Sequence, residues 1–287
     1  MTRGGIVWLA SYPKSGNTWM RVLLANLSSG AAEPLPINDL DDVYMAESKD
    51  VFNAWTLLAA NLLDDDEVDR LRPAVYEALG AEVPAPHFIK VHDAYTEIAP
   101  GEPLFGRMAA RGVIYIVRDP RDVAVSLSHH FDVTIDQAIA GMNTALTGSP
   151  RRARSGRFHS RLLDWSAHVA SWLDQGEMPV HLVRYEDLVV APVDTFTGVA
   201  HFLGLDFGSA AIERAVQHSD FARLQSQERE AGFTERLSRT SLFFRKGCVG
   251  DWRLALTAAQ ATAIVDAHGA MMHRLGYEPR PPAYPSA

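Results

Sequence analysis

Cysteine is almost absent from the chain. Cys248 is the only one among 287 residues, so no disulfide can form within it and no thiolate cage can hold zinc. A single thiol accords with a reducing compartment, and the expected location is cytoplasmic. Long apolar runs are missing too. Stretches such as Thr56–Leu63 fall well short of the ~20 residues that cross a bilayer, so no membrane partner is expected. Ile6–Ala10 is too short for a signal-peptide core, and Tyr12-Pro13-Lys14 follows it at once. Excess positive charge is lacking: 27 Lys and Arg face 35 Asp and Glu, a net charge of −8. That argues against nucleic acid as a partner, yet a small anion needs only a local basic pocket. There is no internal repeat and no low-complexity segment. With 47% hydrophobic and 22% charged residues, disorder, collagen and coiled coil are excluded as the main architecture.

What remains is a globular α/β chain. Ile6-Val7-Trp8-Leu9-Ala10 reads as a buried strand. A turn-rich stretch, Ser11–Thr18, leads to Met20, Leu23, Leu24 and Leu27 at helical spacing. Further strands are expected at His87–Val91, Gly112–Val117 and Val180–Val183. Helices are expected to begin near Val123 and to cover Val193–Leu203, Phe158–Leu173 and Ala258–Leu275, the last opening on a Thr257/Gln260 capping box. Short apolar strands alternating with helices predict a single α/β domain over 1–287, with a central parallel β-sheet flanked by helices. The Pro-rich tail, about 278–287, is expected to be loose. Two stretches read as loop-like insertions: Ser28–Pro86, with acidic Asp64–Asp69, and Asp132–Gly156, with basic Arg151-Arg152-Ala153-Arg154. The segment Gln225–Gly250 reads as mobile, with Arg245 and Lys246 ordering only when an anion neutralises them.

Three segments carry candidate chemistry. Strand, tight Gly-containing loop and helix at Pro13–Trp19 aim backbone N–H groups and a positive helix end at one spot. Lys14 adds a charge there, and Ser15 and Thr18 add hydroxyls. The order Lys-Ser-Gly-Asn-Thr is not Gly-x-x-x-x-Gly-Lys-Ser/Thr, so the usual nucleoside-triphosphate loop is absent. Alone, this loop reads equally as an anion site or as a plain strand–turn–helix corner with a solvent-exposed lysine. The second segment sets Arg118 at a strand's C-terminal end, where open α/β sheets place ligands, with Ser126 eight residues on. An arginine fork suits a phosphate, though an Arg–Asp cap would look the same. The third, Arg245-Lys246-Gly247-Cys248-Val249-Gly250-Asp251-Trp252-Arg253, is a flexible basic loop that could close over an anion or simply lie on the surface.

Together and in this order, the three segments resemble the cytosolic-type sulfotransferases that use 3′-phosphoadenosine 5′-phosphosulfate (PAPS). The resemblance spans Ile6–Tyr277 and implies a P-loop-like nucleotide-binding architecture. It implies that Lys14, Ser15, Gly16, Asn17, Thr18 and Trp19 grip the 5′-phosphosulfate end, with Trp19 stacking on adenine. Arg118 and Ser126 match the 3′-phosphate pair, and Arg245, Lys246 and Gly247 match the basic loop. Tyr185, in Tyr185-Glu186-Asp187, matches an adenine contact, and Ser219 and Phe221 fall in a nucleotide-touching stretch. Lys90-Val91-His92 matches the family's Lys-x-His.

The implied reaction is in-line sulfuryl transfer from PAPS, leaving 3′,5′-bisphosphate adenosine (PAP), with no metal. The acceptor would be a hydroxyl, or secondarily an amine, of a small molecule. His92 would be the general base and Lys14 would stabilise the leaving oxygen. Lys90 would orient sulfuryl oxygens, and Ser126 would restrain Lys14. Asn17 stands where Thr is commoner. The family's dimer signature would fall on Arg253, Thr257, Ala258 and Thr262; it is degraded, so a homodimer by that route is doubtful. Phe52, Trp55, Phe131, Phe243 and Phe244 are candidate pocket walls, which would favour an alcohol or phenol. A kinase or other NTPase would want the Gly-Lys-Ser/Thr order, and a non-catalytic binding protein should have lost Lys14 or His92.

Overall fold

The computed structural model describes residues 5–40, 43–82, 86–107, 110–144, 156–238 and 240–278. The expected tail beyond 278 and the basic run at 151–154 lie outside these. The strands are β1 (Gly5–Ser11), β2 (Val43–Met45), β3 (Pro86–Val91), β4 (Glu97–Ala99), β5 (Glu102–Pro103), β6 (Ala110–Val117) and β7 (Val180–Arg184). The α-helices are α1 (Asn17–Ser29), α2 (Lys49–Thr56), α3 (Asp65–Glu82), α4 (Pro120–Phe131), α5 (Ile135–Met142) and α6 (Trp165–Leu173), then α7 (Tyr185–Val190), α8 (Pro192–Leu203), α9 (Ser209–His218), α10 (Phe221–Ala231), α11 (Trp252–Ala255) and α12 (Ala258–Arg274).

A five-stranded sheet has the order β2-β3-β1-β6-β7. β1 and β3 run parallel with Ala10 opposite Val91, and β2 and β3 run parallel with Met45 opposite Lys90. From β1 the chain first goes to the β3 side and then crosses to β6. Such a reversal is where open α/β sheets bind ligands, beyond the strands' carboxyl ends. All seven residues of β1 are buried, as are Val113–Val117 of β6. This is why both strands read as unbroken apolar runs without alternation. The expected α/β class and parallel sheet are observed.

The chain gathers into two compact units. The first comprises Met1–Tyr12, Asp42–Tyr115 and Ala145–Leu182; the second comprises Pro13–Asp41, Ile116–Thr144 and Val183–Ala287. In the first unit Trp8 is fully buried and meets Tyr76 and Phe105 edge-on at 4.9 and 5.0 Å. The stretch read as a loop-like insertion from Ser28 to Pro86 in fact holds β2, α2 and α3. Ser48 caps α2 by accepting from the Val51 N–H. Asp65, Asp66 and Glu67 crowd the first turn of α3, where the helix dipole favours acids. The helix expected over Phe158–Leu173 is shorter, because Leu163 has φ +55° and Asp164 caps a start at Trp165. Upstream, the Arg161 N–H is taken by Asp93 at 2.6 Å.

In the second unit Met20, Leu23, Leu24 and Leu27 of α1 are buried as their spacing required. The expected capping box at Thr257/Gln260 opens α12. A second box, Thr134/Gln137, opens α5 inside the other stretch read as loop. The segment read as mobile, Gln225–Gly250, begins inside α10, which spans Phe221–Ala231. Leu224 of this helix packs with Val22, Ile37, Phe233 and Phe244.

Candidate active site

The loop that follows β1 is strained in a way few sequences allow. Lys14 has φ +69° and Gly16 φ +107°. A Cβ on Gly16 would lie 2.7 Å from Cδ2 of Tyr185, so both the backbone and the neighbouring ring demand glycine. Ser15 between them is fully buried, and its Oγ has no hydrogen-bond partner among the described residues. No side chain caps α1, so its first N–H groups point into this turn. The loop holds an orphaned donor, a cation and a helix start together. These features fit the anion-site reading of the loop better than a plain strand–turn–helix corner.

Arg118 closes over the same loop. Its guanidinium lies 4.3 Å above the Tyr185 ring and donates to Lys14 O at 3.4 Å and Cys248 O at 3.1 Å. Its Nε is buried without a partner among the described residues. Trp19 donates from Nε1 to Ser219 O at 2.8 Å and meets Tyr185 at 5.8 Å. Ser219 itself is fully buried, and its Oγ accepts from Asn26; its observed contacts position Trp19. Phe221 sits against Gly247, where a Cβ would come within 2.4 Å of the ring.

The basic loop is tied internally by an acid at its own end. Arg245 and Lys246 each bond Asp251 at 2.5 Å. Burial pushes the Asp251 carboxyl up, but those bonds outweigh it and hold it below the ordinary carboxylate range. Asp122 accepts from the Gly250 and Trp252 N–H groups at 2.7 and 2.9 Å. Glu228 accepts from the Phe243 and Phe244 N–H groups, and Gln225 donates to Phe244 O and Arg245 O. Asp122 and Asp251 lie inside sequence motifs but had no role assigned from sequence, and Gln225 and Glu228 were not singled out at all.

A cleft of about 260 Å³, open to solvent, is lined by Lys14, Ser126, Arg245, Phe243, Arg236 and His129, among others. Lys14 Nζ rests 3.6 Å from the Phe243 ring centre, a cation–π contact. Ser126, which the resemblance pairs both with Arg118 and with Lys14, lines this cleft together with Lys14. Of the suggested pocket walls, Phe244 is core and Phe52 is buried against Phe158 in the first unit. Phe131 lies against His130, and Trp55 is half-buried.

In the first unit Lys90 is buried and His92 follows β3. His92 Nδ1 lies 2.8 Å from Ser11 O. A carbonyl can only accept, so Nδ1 carries the proton and Nε2 is the basic nitrogen. The His92 N–H donates to Glu47 at 2.9 Å. Its C=O accepts from His168 Nε2 at 3.1 Å, and Tyr115 OH donates to His168 Nδ1 at 2.8 Å. Burial pushes the His168 imidazole down to about 3, so it stays neutral in this chain of bonds. Sequence reasoning missed His168, Tyr115 and Glu47, whose roles exist only through tertiary contact.

The family profile described as "Sulfotransferase domain" matches residues 5–276. This chain belongs to the sulfotransferase family. This sulfotransferase is 24% identical over 276 residues to mouse Sulfotransferase 2B1, covering 93% of this chain and 71% of that one. Its fold matches mouse sulfotransferase SULT7A1 complexed with PAP (TM-score 0.60, 21% identity, 93% of this chain and 84% of the other). It also matches retinol dehydratase in complex with androsterone and the inactive cofactor PAP (TM-score 0.58, 20% identity, 93% and 80%). No helix among the described residues of this sulfotransferase is long and apolar enough to cross a membrane.

Proposed function

We propose that this sulfotransferase moves a sulfuryl group from PAPS to a hydroxyl, or secondarily an amine, of a small-molecule acceptor, in the cytoplasm. The observation that carries this reading is the strained turn at Lys14–Gly16, with the orphaned Ser15 hydroxyl and Arg118 above it. A glycine-tight cradle and two buried donor atoms without partners among the described residues fit an anionic nucleotide, and two structural neighbours hold PAP. Ser15, Asn17, Thr18 and the α1 amides would hold the 5′ end. Arg118 would take the 3′-phosphate, with Arg245, Lys246 and Gly247 beside it. Tyr185, Trp19 and Phe221 would flank the base. When bound, PAPS supplies the sulfuryl group and a phosphate leaving group.

The chain's own residues then divide the labour. Lys14 would neutralise charge that develops on the leaving oxygen, and such fixed cations are the main source of rate in related phosphoryl transfers. Ser126, in the same cleft, would restrain Lys14. Nε2 of His92 would take the acceptor's proton. Ser11, Glu47 and His168 fix the tautomer and the backbone of His92 beforehand, which is how a base is preorganised. The role of Lys90 is to orient sulfuryl oxygens. The test is incubation with PAPS and a panel of hydroxylated and amino small molecules, read by PAP release and product mass. PAP release matched by a sulfated product is expected. Absence of both across the panel would overturn the reading.

A further inference from the structure

The cleft beside Lys14 has more wall than the cofactor reading uses. Lys14, Ser126 and Arg245 are assigned. The remainder holds Arg236, His129 and His130 with Ser238 and Ser241; only Leu242 and Phe243 are apolar. Arg236 is half-buried. Its Nε donates to Ser238 O at 3.0 Å, which fixes the plane of the guanidinium. No carboxylate pairs with it among the described residues. Glu235, the adjacent acid, pairs with Arg21. Asp132, which approaches through Ser238, already accepts from the Ser238 and Thr240 hydroxyls, both at 2.7 Å. Burial, then the nearby Arg245 and Lys246, hold the His129 imidazole below its ordinary value, while the Asp251 and Asp132 carboxylates act the other way. A half-buried cation with no directly paired carboxylate among the described residues favours a ligand that supplies one. A fixed guanidinium fork is the side chain that best matches a planar or tetrahedral oxyanion.

We infer that the acceptor carries an oxyanion — a carboxylate, phosphate or sulfate — beside its reacting hydroxyl, and that Arg236 reads it. The inference rests on the sulfotransferase reading and narrows its acceptor class. It also departs from the plain alcohol or phenol suggested by aromatic composition. Phe52 and Phe244 are packed elsewhere, and Phe243 alone of those residues lines the cleft.

The experiment is calorimetric titration of the PAP-saturated protein with 4-hydroxyphenylacetate and with its methyl ester, two phenols that differ in one charge. The acid is expected to bind at least tenfold tighter, from about ten- to a hundredfold for a charge-assisted bond. Arg236→Gln should abolish that preference and leave PAP affinity within about twofold. Arg236→Lys, which keeps the charge, should retain part of it and controls for loss of fold. Equal binding of acid and ester, binding of neither, or a preference that survives Arg236→Gln would overturn the inference. So would an equal loss of PAP affinity in Arg236→Gln, which would assign Arg236 to the cofactor. If PAP fails to bind the wild-type protein, the sulfotransferase reading itself has failed; that outcome is read before any phenol is added.

Discussion

Replacing Gly16 by alanine tests whether the turn after β1 is built as described. Two costs are separable. The backbone at φ +107° is one that side chains rarely adopt, and such strain costs roughly 1–3 kcal/mol. The new Cβ would also lie 2.7 Å from Cδ2 of Tyr185, and overpacking of this kind typically costs ~1–3 kcal/mol. The sum, about 2–6 kcal/mol, should lower the melting temperature by roughly 4–24 °C at about 2–4 °C per kcal/mol for a chain of this size. Gly30 is the internal control. It has φ +59°, and a Cβ there would meet nothing within 4 Å, so Gly30→Ala should show a backbone cost of only ~1–2 kcal/mol. Tyr185→Ala in the Gly16→Ala background should recover the steric part and no more. PAP affinity should fall in Gly16→Ala and not in Gly30→Ala. The reasoning is refuted if Gly16→Ala melts like Gly30→Ala and binds PAP like wild type.

Arg118→Ala should weaken PAP by about ten- to a hundredfold, as for loss of one charge-assisted bond, and adenosine 5′-phosphate far less; equal losses in titration would place Arg118 in a structural role. Asp251→Asn should free Arg245 and Lys246, raising amide exchange across 245–250. Because the folded Asp251 carboxyl lies below its ordinary value, its contribution to stability is full above the unfolded pKa of ~3.9 and is lost as pH falls through the folded value. The melting difference between wild type and Asp251→Asn should therefore be constant at neutral pH and shrink in acid; a difference that grows in acid contradicts the pairing. His92→Ala should keep PAP binding and lose ~10²–10⁴-fold in turnover of a non-acidic alcohol. His87, five residues upstream and opposite Ile6 in the sheet, should tolerate alanine with near wild-type activity, and its failure to do so would undo the comparison.

The sequence displayed the sheet well where strands are buried on both faces. Ile6–Ala10 and Gly112–Val117 are unbroken apolar runs, and they lie within β1 and β6. It hid elements whose stability is tertiary. α3 contains Pro73 and a fully buried Arg72, both of which argue locally against a core helix; Arg72 is accommodated by Asp93 and Asp69. α10 is polar in composition because Gln225 and Glu228 are spent on the backbone of residues 243–245. In the site, contiguous motifs were legible: the Lys14–Trp19 loop, Arg118, Tyr185 and the Arg245–Trp252 loop. What could not be read were contacts between distant segments, such as Lys14 on Phe243, Asp122 on Gly250 and His168 on the His92 carbonyl.

The central claim is that the second unit forms a nucleotide site with two separate anion grips, the Lys14–Thr18 turn and Arg118. Calorimetric titration of the full chain with PAP, adenosine 5′-phosphate and ATP with magnesium tests it most directly. The account predicts that PAP binds tightest, that removing the 3′-phosphate costs at least tenfold, and that ATP with magnesium gains nothing from its extra phosphates. Tight binding of ATP with magnesium and weak or equal binding of PAP would contradict it.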